Sequence, residues 1–144
     1  MKLSWNDYIS IKLHKTDLKL TSYMKAQLEP FNLAPEQSLI MLLLWEEDGL
    51  TQYQLAKHLN KDKTNIARMC ANLERKGFIY RVNCKDDRRS IKLFLTPLGK
   101  QSKERIIPIT EKFNDIVCEN LTSDEINQLE HLLTKINDNV EKYS

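Results

Sequence analysis

"LTQYQLAKHLNKDKTNIARMCANLERKGFIYR", residues 50–81, decides the fold. Thr51 is placed to cap a short helix over Gln52–Leu59, with Leu55, Ala56 and Leu59 turned inward. Asn60 and Lys61 then make a tight turn, and Asn tolerates the left-handed conformation such a turn requires. Asp62 caps a second helix in which Ile66, Met69, Cys70 and Leu73 recur at i, i+3, i+4 and i+7, one buried stripe. Gly77 stops it. Two short helices joined by a tight turn make a helix-turn-helix.

Working outward, Phe78 to Asn83 and Ser90 to Leu95 read as two strands. The charged run Lys85-Asp86-Asp87-Arg88-Arg89 lies between them as a hairpin tip. Upstream, residues 4–28 read as a long helix, irregular near its start, with Ile9, Leu13, Thr16, Leu20, Tyr23 and Met24 near one face, ended by Pro30. Pro35 starts another helix, apolar nearly all round from Leu39 to Trp45 and therefore expected at the centre, and Gly49 closes it. Downstream, Thr96-Pro97 starts a helix running to about Asn120, with a kink expected at Pro108. Thr122 and Glu125 form a capping box for the last helix. There Ile126, Leu129, Leu133, Ile136, Val140 and Tyr143 alternate steps of three and four, the spacing of a coiled-coil seam. The expected fold is mainly α with a small β-hairpin: a winged helix-turn-helix between N- and C-terminal dimerisation helices.

The chain of 144 residues suits one domain, and three glycines and four prolines leave little room for long linkers. No run approaches ~18 apolar residues, and the N-terminus lacks a signal peptide's apolar core, so a cytoplasmic protein is expected. Cys70, Cys84 and Cys118 lie far apart, without metal-ligand spacing. No metal or cofactor is expected. No nucleophile with its base, carboxylate pair or phosphate loop stands at usable spacing, so no catalytic residue is assigned. Residues 50–95 hold eleven Lys/Arg against four Asp/Glu, a net +7, whereas the remainder is −5. A basic middle between acidic ends implies that the middle meets a polyanion.

Three motifs carry a family resemblance: Leu73-Glu74-x-x-Gly77, Asp87-Arg88-Arg89, and Leu95-Thr96-x-x-Gly99. With the helices around them, they make nearly the whole chain resemble the MarR family of bacterial transcription regulators. The resemblance implies a homodimer on palindromic double-stranded DNA, mostly as a repressor. It also implies release by a small, often aromatic, effector. The lobes would be residues 35–96 for DNA and residues 1–34 with 97–144 for dimerisation, in one intertwined domain.

The residues themselves support those roles. Arg68 faces outward on the second helix of the motif and is the first choice for a base contact, because the N-terminal part of such a helix enters the major groove. Thr64 and Asn65 are candidates for bases or phosphates, and Lys61 and Lys63 for phosphates. Thr51 and Gln52 open the preceding helix, where free N–H groups suit a phosphate. At the wing, Arg89 is expected in the minor groove, braced by Asp87, with Arg88 and Lys85 towards phosphate or solvent. The family assigns such roles to the matching Asp and Arg.

Ile9, Leu13, Phe113, Ile116, Val117, Ile126, Leu129, Leu133, Ile136 and Val140 are the expected dimer interface. Pairing them would set two recognition helices about 34–36 Å apart, one DNA turn. Trp5, His14, Tyr23, Trp45 and Phe113 are candidates to line an effector pocket, although aromatics at helical spacing usually pack. The peroxide-sensing branch of the family carries its reactive Cys in the first helix, and this chain has none there. The competing reading is a winged-helix module that binds protein and has no specific DNA.

Overall fold

The computed structural model describes residues 2–84 and 87–144, with the backbone alone at 87–89. In chain order the helices are α1 (Ile9–Leu28), α2 (Pro35–Glu46), α3 (Gln52–Leu59), α4 (Lys63–Arg75), α5 (Pro97–Val117) and α6 (Ser123–Lys142). Strands β1 (Ile79–Cys84) and β2 (Asp87–Leu95) fall between α4 and α5, giving the expected mainly helical class with one antiparallel hairpin. The chain forms two compact units, Met1–Ile109 and Thr110–Ser144.

The helix-turn-helix forms where its caps and period place it. Thr51 and Gln54 exchange cap bonds, Thr51 Oγ1 accepting the Gln54 N–H at 3.1 Å and Gln54 Oε1 accepting the Thr51 N–H at 2.8 Å. Asn60 adopts the left-handed conformation at φ 52. Ile66, Met69, Cys70 and Leu73 are all buried, meeting Leu55 from α3 and Ile40, Met41 and Leu44 from α2 in the core of the first unit.

The structure adds detail at four element boundaries. The first helix ends at Leu28 and is irregular at its start, as expected: Trp5–Asp7 is a 3-10 turn, Tyr8 is extended, and α1 begins at Ile9. Pro30 sits inside a second 3-10 turn, Glu29–Phe31, and left-handed Asn32 makes the reversal. Helix α2 ends at Glu46, and Glu47 leaves helical geometry before Gly49 turns the chain at φ 83. Helix α5 stops at Val117, and left-handed Asn120 turns towards α6. The α2 run is also less central than its hydrophobicity suggests. Ile40, Met41 and Leu44 are buried, whereas Leu39 is exposed and Leu42, Leu43 and Trp45 are half-buried.

The wing has more partners than a hairpin. Residues Ile79 to Asn83 pair in register with Leu95 to Ile91, and the register then slips so that Cys84 pairs with Asp87. Strand β2 thus starts at Asp87, not Ser90, and Asp87-Arg88-Arg89 belongs to the strand. On its other edge β2 meets residues 49–51. Gly49 N donates to Leu93 O and Leu93 N to Leu50 O, both at 2.9 Å, and Thr51 bridges Lys92. Asp48 Oδ1 accepts the Leu95 N–H at 2.9 Å. The entry to α3 is therefore tied to the wing.

Thr96 and Gly99 join wing and α5. Thr96 Oγ1 donates to Gly77 O at 2.6 Å and accepts from Gly99 N at 3.1 Å. In the second unit, Thr122 and Glu125 make the expected capping box. No residue of α6 is buried in the single chain: Ile126 and Ile136 are half-buried, and Leu129, Leu133 and Val140 are exposed.

Candidate nucleic-acid interface

Helix α4 separates its residues by chemistry. Beside its buried stripe, Thr64, Arg68 and Arg75 are exposed, and Lys63 is exposed at the first turn. Asp62 caps the helix, its Oδ1 accepting the Asn65 N–H at 2.7 Å. Arg68 Nη2 donates to Asn65 Oδ1 at 2.7 Å, and Arg75 donates likewise to Asn72. Arginines spaced by seven on an exposed helix face present cations along one line, as a groove requires.

Two of the expected DNA contacts have partners within the chain, and a third is turned inward. Lys61 Nζ is paired with Glu36 Oε1 on α2 at 2.8 Å, so it braces the turn. The Thr51 hydroxyl belongs to the α3 cap, and it also donates to Gln54 Oε1 at 3.2 Å. Gln52 turns its Nε2 into the protein, where that atom is buried without a partner among the described residues. Helix periodicity identifies a face, but these partners come from the turn, from α2 and from the interior. Lys85 lies outside the described residues, as do the side chains of Asp87, Arg88 and Arg89.

The sequence reading missed Tyr53. It is 62% exposed beside the α4 N-terminus, and Lys63 Nζ lies 5.9 Å from its ring centroid. An aromatic in the first turn of α3, off the Leu55–Leu59 stripe, was the available signal. The ring restrains Lys63 through a cation–π contact and leaves its charge facing outward.

Glu74 locks this helix to the wing. Its two oxygens accept from Arg81 N at 3.0 Å, Arg81 Nε at 3.1 Å and Arg81 Nη2 at 3.0 Å. The backbone hydrogen bond from Arg81, then its guanidinium, hold the Glu74 carboxyl below its ordinary 4.5, partly opposed by desolvation. A depressed folded pKa stabilises the fold above the unfolded value, and that contribution is lost as pH falls through the folded value. Glu74→Gln should thus lower stability by up to about 1 kcal/mol at pH 7, since the pair is partly solvated. In thermal melts the difference from the parent should shrink below pH 4.5. A pH-independent difference would assign the loss to packing. Nearby Cys70 is fully buried, and desolvation pushes its thiol up to about 12, which keeps it unreactive.

Two of the aromatics expected to line an effector pocket have other partners or lie open to solvent. Trp5 is 60% exposed, with Lys15 Nζ 5.1 Å above its ring, and His14 is exposed. Trp45 Nε1 donates to Gly99 O at 2.9 Å, which makes it a brace between α2 and α5. A cavity of about 760 Å³ lies instead among residues 30–33, 76–78 and the first turns of α5, with Phe31, Phe78, Leu98, Lys76 and Arg105 in its wall. None of Trp5, His14, Tyr23, Trp45 or Phe113 lines it.

Comparison with known proteins agrees with this geometry. Residues 33–91 match the family model described as the MarR family. The organic hydroperoxide resistance transcriptional regulator of Bacillus subtilis is 31% identical over 97 residues, 67% of this chain and 66% of that protein. An uncharacterised HTH-type transcriptional regulator of Bacillus cereus is 30% identical over 116 residues, 80% of this chain and 77% of its own length. In structure, the S. aureus MepR–DNA complex superposes with a TM-score of 0.84 at 27% identity, covering 95% of this chain and 99% of that one. The winged helix with its arginine-lined α4, the hairpin and the flanking helices thus has its counterpart in known regulators, and the chain belongs to the MarR family of transcriptional regulators.

Proposed function

We propose that the protein is a homodimeric repressor that binds a palindromic operator, inserting α4 into the major groove and the wing into the adjacent minor groove. The observation that carries this reading is α4 itself: a fully buried apolar stripe fixes its roll, and Lys63, Thr64, Arg68 and Arg75 remain exposed. The net +7 of residues 50–95 supplies the sequence-independent attraction to phosphate. The MepR relative was solved on DNA, which supports the same use here.

Residues 1–34 and 97–144 form the dimerisation region in this reading. Ile9, Leu13, Ile116, Val117, Leu129, Leu133 and Val140 are exposed apolar residues in the single chain, and Phe113, Ile126 and Ile136 are half-buried. A second copy supplies the cover these residues lack. Helix α1 contains no cysteine, so the resemblance to a hydroperoxide regulator does not bring a thiol switch in that helix.

For the wing, Arg89→Ala should cost roughly 1–3 kcal/mol per half-site and lower the salt slope by about one per arm. Asp87→Ala should also weaken binding, because the arginine loses its brace and the associated rotamer order. Operator titrations at several salt concentrations decide the point. Tighter binding by a folded Asp87→Ala protein would show that the carboxylate only repels phosphate.

An aromatic acid is the effector class this cavity suits, with Phe31, Phe78 and Leu98 for its ring and Arg105 for its carboxylate; Glu104 also lines the cavity, and Lys76 Nζ is held by Asn32 O at 2.9 Å and Gln37 Oε1 at 2.8 Å. Ser102 also lines it. If a panel of benzoates releases DNA, Ser102→Trp should abolish the release and leave DNA affinity intact. Undiminished release would place the effector elsewhere.

A further inference from the structure

The side chains opening α4 are joined end to end. Asp62 Oδ1 accepts the Asn65 backbone N–H at 2.7 Å, and its other oxygen, Oδ2, accepts from Asn65 Nδ2 at 3.0 Å. Asn65 Oδ1 then accepts from Arg68 Nη2 at 2.7 Å. The direction of the chain follows from the end groups. A carboxylate only accepts and a guanidinium only donates, so the amide between them must turn its nitrogen to Asp62 and its oxygen to Arg68.

We infer that Asp62 and Asn65 form a relay that fixes the plane of the Arg68 guanidinium before DNA arrives, making them positioning residues for base reading. This rests on the DNA-binding function proposed above. Asn65 is a candidate for direct contact with bases or phosphates, but each end of its amide already makes one bond within the helix turn, which fixes its orientation and leaves it one N–H and one lone pair. Arg68 commits one N–H to Asn65 and retains four, enough for a bidentate contact with guanine O6 and N7. An arginine already held in one orientation loses less freedom on binding.

The relay predicts a loss of discrimination that charge alone does not. Asp62 is exposed and negative on the face that would meet phosphates, so electrostatics predicts that its removal tightens binding to every duplex. Asp62→Ser keeps a side-chain oxygen for the Asn65 N–H, preserving the cap, but breaks the link to the amide. This variant should bind unrelated DNA more tightly yet discriminate less well at the base pair read by Arg68.

The experiment uses the full chain and a palindromic duplex that it selects from a random pool, with each base pair of the half-site replaced in turn. Arg68→Ala identifies the pair whose discrimination depends on that arginine. Asp62→Ser and Asn65→Ala should each cut discrimination at that same pair by roughly five- to tenfold, part of the total worth of a bidentate contact. The double variant should lose no more than either single one, because both interrupt one chain of bonds. In the Arg68→Ala background, neither change should alter discrimination there. Thermal melts check that Asp62→Ser folds; if it does not, Asn65→Ala decides alone. Unchanged discrimination in the single variants, loss at a different base pair, or multiplying effects in the double variant would overturn the relay. Parent protein that selects no palindrome would instead defeat the DNA-binding reading beneath it.

Discussion

Truncation after Leu121 should leave a monomeric or insoluble chain whose operator affinity is lower by roughly 100-fold or more. The deleted helix α6 carries Ile126, Leu129, Leu133, Ile136 and Val140 along one seam, none of them buried in the single chain. An isolated helix with this pattern has no water-free partner for its apolar stripe, so the stripe is a demand for a second chain. Two half-sites bound by one dimer gain from effective concentration, a factor of about 10²–10⁴ over independent binding. A monomer forfeits that gain even when each α4 is intact. Analytical sedimentation gives the oligomeric state, and titration against the palindrome and a single half-site gives the affinity ratio. A truncated chain that remains dimeric and binds the palindrome as tightly as the parent would remove α6 from the interface.

Gly99→Ala should destabilise the first unit by about 3 kcal/mol or more, at the upper end of overpacking effects. A Cβ built on Gly99 would lie 2.1 Å from Phe78 O and 3.1 Å from Phe78 C, both backbone atoms. Backbone at the start of the wing cannot swing aside as a flexible side chain can. The same glycine accepts the Trp45 indole N–H through its carbonyl, and its N–H bonds Thr96 Oγ1. A shift that relieves the clash therefore strains the junction of α2, the wing and α5. With total stability of ~5–15 kcal/mol, the loss should appear as a large fall in melting temperature or as insoluble protein. A melt within a few degrees of the parent would mean that the approach of α5 to Phe78 is loose.

Where structure follows from neighbours in sequence, the chain was readable. Thr51, Asp62 and Thr122 cap helices as their positions suggest, and the α4 stripe is buried throughout. What was not readable depends on partners far along the chain. Lys61 is held by Glu36, 25 positions away, and Trp45 by Gly99, 54 positions away. No helical period carries that information. The third edge of the wing, residues 49–51, is too short to show alternation. Leu39 shows the converse, since a run of apolar residues does not say which face is turned outward when no polar residue marks it. At the wing, the register slip after Asn83 has no signature in the pattern of residue types.

The most direct test of the central claim, that two copies of α4 read one palindrome, is the stoichiometry and selectivity of the full chain on its selected duplex. Fluorescence anisotropy above the dissociation constant should reach its plateau at two chains per palindrome. Competition near physiological salt should favour that duplex over a scrambled one by at least ~10³. Arg68→Ala should erase much of the preference while leaving the salt slope nearly unchanged. Binding that plateaus at one chain per palindrome, or that shows no preference for any selected sequence at any salt concentration, would contradict it.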